Sequence, residues 1–223
     1  MEDPDGAGMR WGGRSAAAAT IDLRSSWREA SYLAIDVETT GLDLRRDSIV
    51  SVGSVGISGG RIVGGDTYYS LIRPACPVSV ASMRIHCLRP ADLENAPAAH
   101  DVGQQVAAKL AGRIVIAHAA WIEKAFLNRL LRQAGLRFTA PVIDTAALAR
   151  ALGYARDGSH GREPSLELLA RQLALPVYAP HHALGDAITT AAVFLALATK
   201  AGTGGPEPAS AQSLVKRSAE FSY

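Results

Sequence analysis

A chain of 223 residues with 48% apolar content has the length of one domain with tails and the composition of an ordinary globular protein. Its 23 basic and 21 acidic residues leave a net charge of +2, which does not announce a nucleic-acid binder. Cys76 and Cys87 form no CxxC pair and have no histidine at zinc-ligand spacing, so neither a disulfide framework nor a zinc site is indicated and a reducing, cytoplasmic setting is expected.

Residues 1 to about 28 are rich in Gly, Ala, Arg and Ser without period and are expected to be disordered. The start is acidic and lacks an apolar h-region, so no signal peptide is expected. No stretch approaches the roughly 18 uninterrupted apolar residues of a membrane span, and no membrane partner is expected. The first ordered element is a strand over Tyr32–Val37, closed by Thr39-Thr40-Gly41. A second strand runs over Ser48–Ile57, and Ser58-Gly59-Gly60 signals a hairpin into a third, Arg61–Ile72. Pro74 and Pro77 stop that strand. Helices are expected around Ser79–His86 and Asp101–Ala111. Arg113–Ala117 is a largely apolar fourth strand, which suits a buried place in the sheet.

Ala120–Gln133 has helical period, with Phe126, Leu127, Leu130 and Leu131 on one side. Lys124, Arg129, Arg132 and Arg137 follow with no acid after Glu123; this is a face that tracks phosphates or one that is simply solvated. Pro141–Ile143 is a short fifth strand, and Asp144 caps a helix over Thr145–Leu152. A polar loop, 153–164, contains His160. Helices at Ser165–Ala174 and Ala183–Lys200 complete a domain spanning residues 29–201, and residues 202–223 read as a flexible tail. Gln212-Ser213-Leu214 in that tail faintly resembles a sliding-clamp peptide without its paired aromatics, so a polymerase or clamp partner through the tail is an open reading. Three meandering strands followed by alternating helices and strands define an α/β mixed sheet covered by helices.

Asp36 and Glu38 sit at i and i+2 on the first strand, so both side chains share one face near its C-terminal end. Read alone, the pair fits either a divalent cation held by hard oxygen donors or a solvated strand end. Far along the chain stands His181-His182-Ala183-Leu184-Gly185-Asp186. Asp186 falls in the first turns of the last helix. His181 precedes it, as a base or as a helix-entry residue.

The combination carries more. AIDVETTGLD resembles the first motif of the DEDD exonucleases of the DnaQ-like proofreading family, and HHALGDA the third motif of their histidine subclass, written HxAxxD. Between them, HAAWIEKAFL at His118–Leu127 resembles the second motif, HNAxFDxxFL, with Ala119, Ile122 and Glu123 in place of its asparagine, phenylalanine and aspartate. The resemblance covers about residues 30–200. It implies a ribonuclease-H-like fold and hydrolysis from a free 3′ end of single-stranded DNA or RNA, releasing nucleoside 5′-monophosphates. It implies two Mg²⁺ or Mn²⁺ ions on Asp36, Glu38, Glu123 and Asp186, with His181 as general base. Thr39, Thr40, Gly41 and Leu42 would hold the terminal nucleotide, with His86 and His118 approaching the same pocket. The longer Glu123 places activity in the balance, because Mg²⁺ demands near-ideal octahedral geometry. A non-catalytic nucleic-acid-binding subunit and an RNA-specific enzyme are the alternatives.

Overall fold

The computed structural model describes residues 21–154, 164–202 and 209–221. The expectations for residues 1–20, for His160 and for most of its loop lie outside that range. A β-meander opens the domain: β1 (Tyr32–Thr39), β2 (Ile49–Ser58) and β3 (Arg61–Leu71). Strands β4 (Ile114–Ala117) and β5 (Val142–Asp144) add in parallel on the far side of β1, giving the order β3-β2-β1-β4-β5. This is the expected mixed five-stranded sheet of the ribonuclease-H-like class.

Alternation along β1 divides the core. Leu33, Ile35 and Val37 face one layer, with α3 (Ala99–Leu110) and α4 (Trp121–Gln133) packed on it through Val106, Phe126 and Leu130. Tyr32 and Ala34 face the other, where α7 (Ala183–Ala201) brings Phe194 and Leu197. Asp36 and Glu38 extend the Tyr32 and Ala34 row and so share the face that α7 covers. Helix α7 is long and apolar enough to cross a membrane by composition, but 61% of that stretch is buried inside the domain. Shorter helices are α1 (Val80–His86), α2 (Pro90–Leu93), α5 (Thr145–Ala151) and α6 (Leu166–Gln172).

Gly53 fixes how near α7 comes. It pairs with Asp36 across the β1–β2 ladder. A Cβ on Gly53 would lie 2.1 Å from the Leu184 nitrogen and 2.3 Å from the Ala183 carbonyl carbon. These are backbone atoms that cannot swing aside, so only glycine admits the first turn of α7 here. Gly185 is constrained likewise by the Tyr178 and Ala179 carbonyls.

The described residues on either side of the expected domain, 21–28 and 209–221, are packed against it. Trp27 is 2% exposed, its ring edge-on to Phe194, and its carbonyl accepts from the Tyr32 hydroxyl at 2.7 Å. Ser26 bridges to Ser210, and Ala211–Glu220 is a further helix, α8, rather than a free tail. Ser210 caps it, and Ala211, Leu214 and Ser218 are buried at i, i+3 and i+7 spacing. A clamp-like peptide would have to project Leu214, which is instead packed in the core. Asp47 accepts from the Thr40 hydroxyl and the Asp43 N–H and so organises the turn after β1.

Gly53→Ala is expected to destabilise the protein by roughly 2–3 kcal/mol through overpacking, read from the denaturant midpoint. The opposite sign is expected at Ala119, which sits at φ 57°, a left-handed conformation costly for alanine. Ala119→Asn should stabilise by about 0.5–1 kcal/mol, because asparagine tolerates that region; an unchanged or lower midpoint would contradict the strain assignment.

Candidate active site

The end of β1, the first turn of α4 and the entry to α7 enclose a cleft of about 260 Å³. Asp36, Glu38 and Asp186 converge in it, each offering a carboxylate oxygen within 4.8 Å of the others. The register between β1 and β2 shifts between Glu38 and Thr39, which ends regular pairing at the site. Burial, then the charges of Glu123, Glu38 and Asp186, push the Asp36 carboxyl well above its ordinary range. Burial followed by Asp186 raises Glu38 to about 8. Asp186 is raised to about 6 by burial, and the His181 N–H and ring partly offset this.

Asp186 has two distinct oxygens. Oδ2 accepts the His181 backbone N–H at 2.9 Å. Oδ1 is buried without a hydrogen-bond partner. A crowded set of hard oxygen donors with one orphaned buried oxygen fits a divalent cation better than a proton network. Glu123 is 4% exposed and lies near enough to be the largest charge acting on Asp36, though outside the tight trio. The glutamate therefore still directs its charge to the site from α4.

His181 has φ 60°, and its ring is more than half exposed at the cleft mouth. Its Nε2 stands 3.8 Å from Glu167 Oε1. Glu167, in the first turn of α6, is a site-facing carboxylate that motif reading missed; its one signal was the SLELL helix start. Ser82 and Ile85 of α1 also line the cleft unannounced. Their helix is short, and nothing in its pattern marks a functional face.

The nucleotide-holding residues divide. Thr39 and Leu42 line the cleft, and Leu42 is 65% exposed. Thr40 does not: it is fully buried, and its hydroxyl donates to Asp47 Oδ1 while accepting the Ser48 N–H. Gly41 serves the same turn, since a Cβ there would strike the Asp47 carboxylate at 2.4 Å. His86 lines the cleft. Its Nδ1 accepts the Leu88 N–H at 3.0 Å, so the neutral ring carries its proton on Nε2. That Nε2 is buried beside the Thr39 carbonyl without a well-formed hydrogen bond to it, and burial lowers the His86 pKa. His118 also borders the cleft, but both ring nitrogens are taken, by the Thr145 hydroxyl at 2.9 Å and the Pro164 carbonyl at 2.7 Å. Its ring nitrogens thereby fasten the approach to α6.

Fold and cleft together define the class of the DnaQ-like 3′→5′ exonucleases. The RNase T exonuclease model matches residues 33–194, and the chain belongs to that exonuclease family. A DNA polymerase III subunit epsilon-like protein of Rhodobacter capsulatus is 35% identical over 83% of this chain, and a PolC-type DNA polymerase III of Thermotoga maritima is 36% identical over 77%. The chain spans only 25% and 12% of those relatives. Among solved structures, Exonuclease X in complex with 5′ overhanging duplex DNA is 26% identical with a TM-score of 0.65, over 84% of this chain and 99% of that one. Escherichia coli Exonuclease I with a dT13 oligonucleotide shares the fold at 12% identity and a TM-score of 0.65, over 77% of this chain and 41% of that one.

The carboxylate cluster carries a stability prediction. Raised pKa values mean the folded state binds more protons than the unfolded state, so stability falls as pH rises. For Glu38 the window runs from 4.5 to about 8, and for Asp186 from 3.8 to about 6. Metal-free protein is therefore expected to melt lower at pH 8 than at pH 6, and Mn²⁺ to restore the difference. Asp36→Asn should raise the metal-free Tm at pH 8 by roughly 2–6 °C and abolish the response to Mn²⁺. A Tm that rises with pH in metal-free protein would rule the repulsion out.

Proposed function

We propose that this chain hydrolyses phosphodiester bonds from the 3′ end of single-stranded DNA or RNA and releases nucleoside 5′-monophosphates, with Mg²⁺ or Mn²⁺ bound. The observation that carries this reading is the carboxylate trio with its orphaned Asp186 oxygen, set beside an accessible histidine. Asp36, Glu38 and Asp186 would hold one cation, and Asp36 with Glu123 a second. Such ions supply a water of lowered pKa and charge stabilisation for the leaving 3′ oxygen.

The chain's own groups supply the rest. The exposed His181 ring accepts a proton from water at the cleft mouth. Glu167, 3.8 Å away, steadies the ring once it is charged. The Asp186 Oδ2 bond to the His181 N–H keeps that backbone in its left-handed turn. Exposed Leu42 and Ile85 offer apolar contact to the terminal base, and the His86 ring forms part of the cleft wall behind them. The family's polymerase-named members support a proofreading or repair role beside a polymerase.

Mononucleotide release from 3′-tailed oligonucleotides in Mg²⁺ or Mn²⁺ tests the reading, with matched DNA and RNA strands to rank the sugars. Asp36→Ala should cut the rate by more than about a hundredfold, since it removes a ligand common to both ions; equal release by variant and parent would end the metal assignment. Glu123→Asp shortens the side chain by one methylene. It should raise the Mg²⁺ rate several-fold relative to the Mn²⁺ rate, because Mg²⁺ is the stricter in geometry.

A further inference from the structure

The first turn of α4 has two working faces. Ile122 and Glu123 line the catalytic cleft. Ala120, Trp121 and Lys124 line a second groove, closed on its other side by Ser218 and Ala219 of α8. This groove measures about 310 Å³, at the lower end of the roughly 300–1,000 Å³ of small-molecule sites. Trp121 is 44% exposed, a large indole left at the surface. Lys124 is exposed, and Lys216 lies one turn before Ala219 on the same side of α8. The acid at the groove floor is Asp144, whose carboxylate is turned onto the backbone N–H groups of Ala119, Ala120, Ala146 and Ala147. Glu220 follows Ala219 at the groove end of α8, one turn after Lys216, and α4 carries no acid after Glu123. The rim therefore presents an aromatic face with Lys124 on α4 and Lys216 on α8, against the one exposed carboxylate of Glu220.

We infer that this groove binds the substrate strand upstream of its 3′ end, with one unpaired base stacked on Trp121 and adjacent phosphates on Lys124 and Lys216. The inference rests on the exonuclease reading of the cleft. The sheet sets the path: the cleft opens over the end of β1, and the groove over the end of β5, with β4 between them. Two strand spacings are about 10 Å, so a dinucleotide ends before the groove and a longer strand crosses it. An exposed indole recognises any unpaired base, because every base has a π-face, and neighbouring ammonium groups neutralise the backbone. A protein partner would call for apolar complementarity, whereas this rim is cationic.

The test compares a dinucleotide with a single-stranded oligomer of about ten nucleotides, using the full chain in Mn²⁺. Trp121→Ala and the Lys124→Ala/Lys216→Ala pair should raise the KM of the oligomer about tenfold, towards the dinucleotide value, with little change in kcat. Trp121→Phe should recover most of the loss, and melting temperatures show that each variant is folded. Separately, metal-free protein with Trp11→Phe should show indole quenching on titration with the oligomer, since Trp27 is buried. A KM ratio in Trp121→Ala equal to that of the parent, or absent quenching, overturns the inference and leaves the groove to a protein partner. Failure of the parent to cleave either substrate would instead count against the exonuclease reading, and the quenching titration would still decide the groove.

Discussion

The close approach of α7 to the sheet at Gly53 is the contact on which the site depends. Asp36 is anchored to β1, and Gly53 is its partner on β2. Removing one side chain at that point lets the backbone of Ala183 and Leu184 rest on the strand. Asp186 is then two residues further along a rigid helix and arrives beside Asp36 and Glu38. A carboxylate trio does not assemble by attraction: burial raises the pKa of all three, and the neighbouring carboxylates raise Asp36 and Glu38 further. The apolar remainder of α7, through Phe194 and Leu197, supplies the burial that holds the charges together. Core packing therefore sustains a destabilised polar end, a usual arrangement for a site that awaits a cation.

His181 belongs to the same economy of positions. It lies just before α7, on a left-handed residue that loop sequence alone does not require. Asp186 fixes that turn by accepting the His181 N–H with one oxygen while directing the other into the cleft. One carboxylate thus links the proposed cation to the proposed base. The exposed imidazole keeps access to water, and Glu167 gives it an acidic neighbour from a separate helix.

Much of this was legible in the chain. The strands announced themselves through β-rich apolar runs broken by Gly and Pro, and period two already placed Asp36 and Glu38 on one face. What periodicity did not carry was direction at irregular positions. Thr40 and Leu42 sit in one motif, yet the bulge after Glu38 turns Thr40 inward to Asp47 and leaves Leu42 at the surface. Nor did composition reveal α8. Its apolar signal is only Leu214-Val215 among small and polar residues, and its docking depends on Trp27 and Ser26 from the opposite end of the chain. Partners so distant in sequence leave no local trace. Glu167 was hidden for a related reason, since its helix reads as packing and only the fold brings it to His181.

The second motif shows how a site can absorb altered residues. Asp144 accepts N–H groups from Ala119 and Ala120 while capping α5, and its own N–H goes to the Ser218 hydroxyl of α8 at 2.7 Å. The start of α4 is therefore held by β5 and α8 rather than by the motif's own side chains. That scaffold keeps Ala119 in a conformation alanine does not favour, and it fixes where the Glu123 side chain begins. With the backbone fixed, one added methylene changes reach but not direction, and Glu123 remains buried as the strongest charge acting on Asp36. The family's asparagine and aspartate can then be exchanged without dismantling the cleft. Under the proposed function the substitution would fall on the geometry of the proposed cations, the property that separates Mg²⁺ from Mn²⁺.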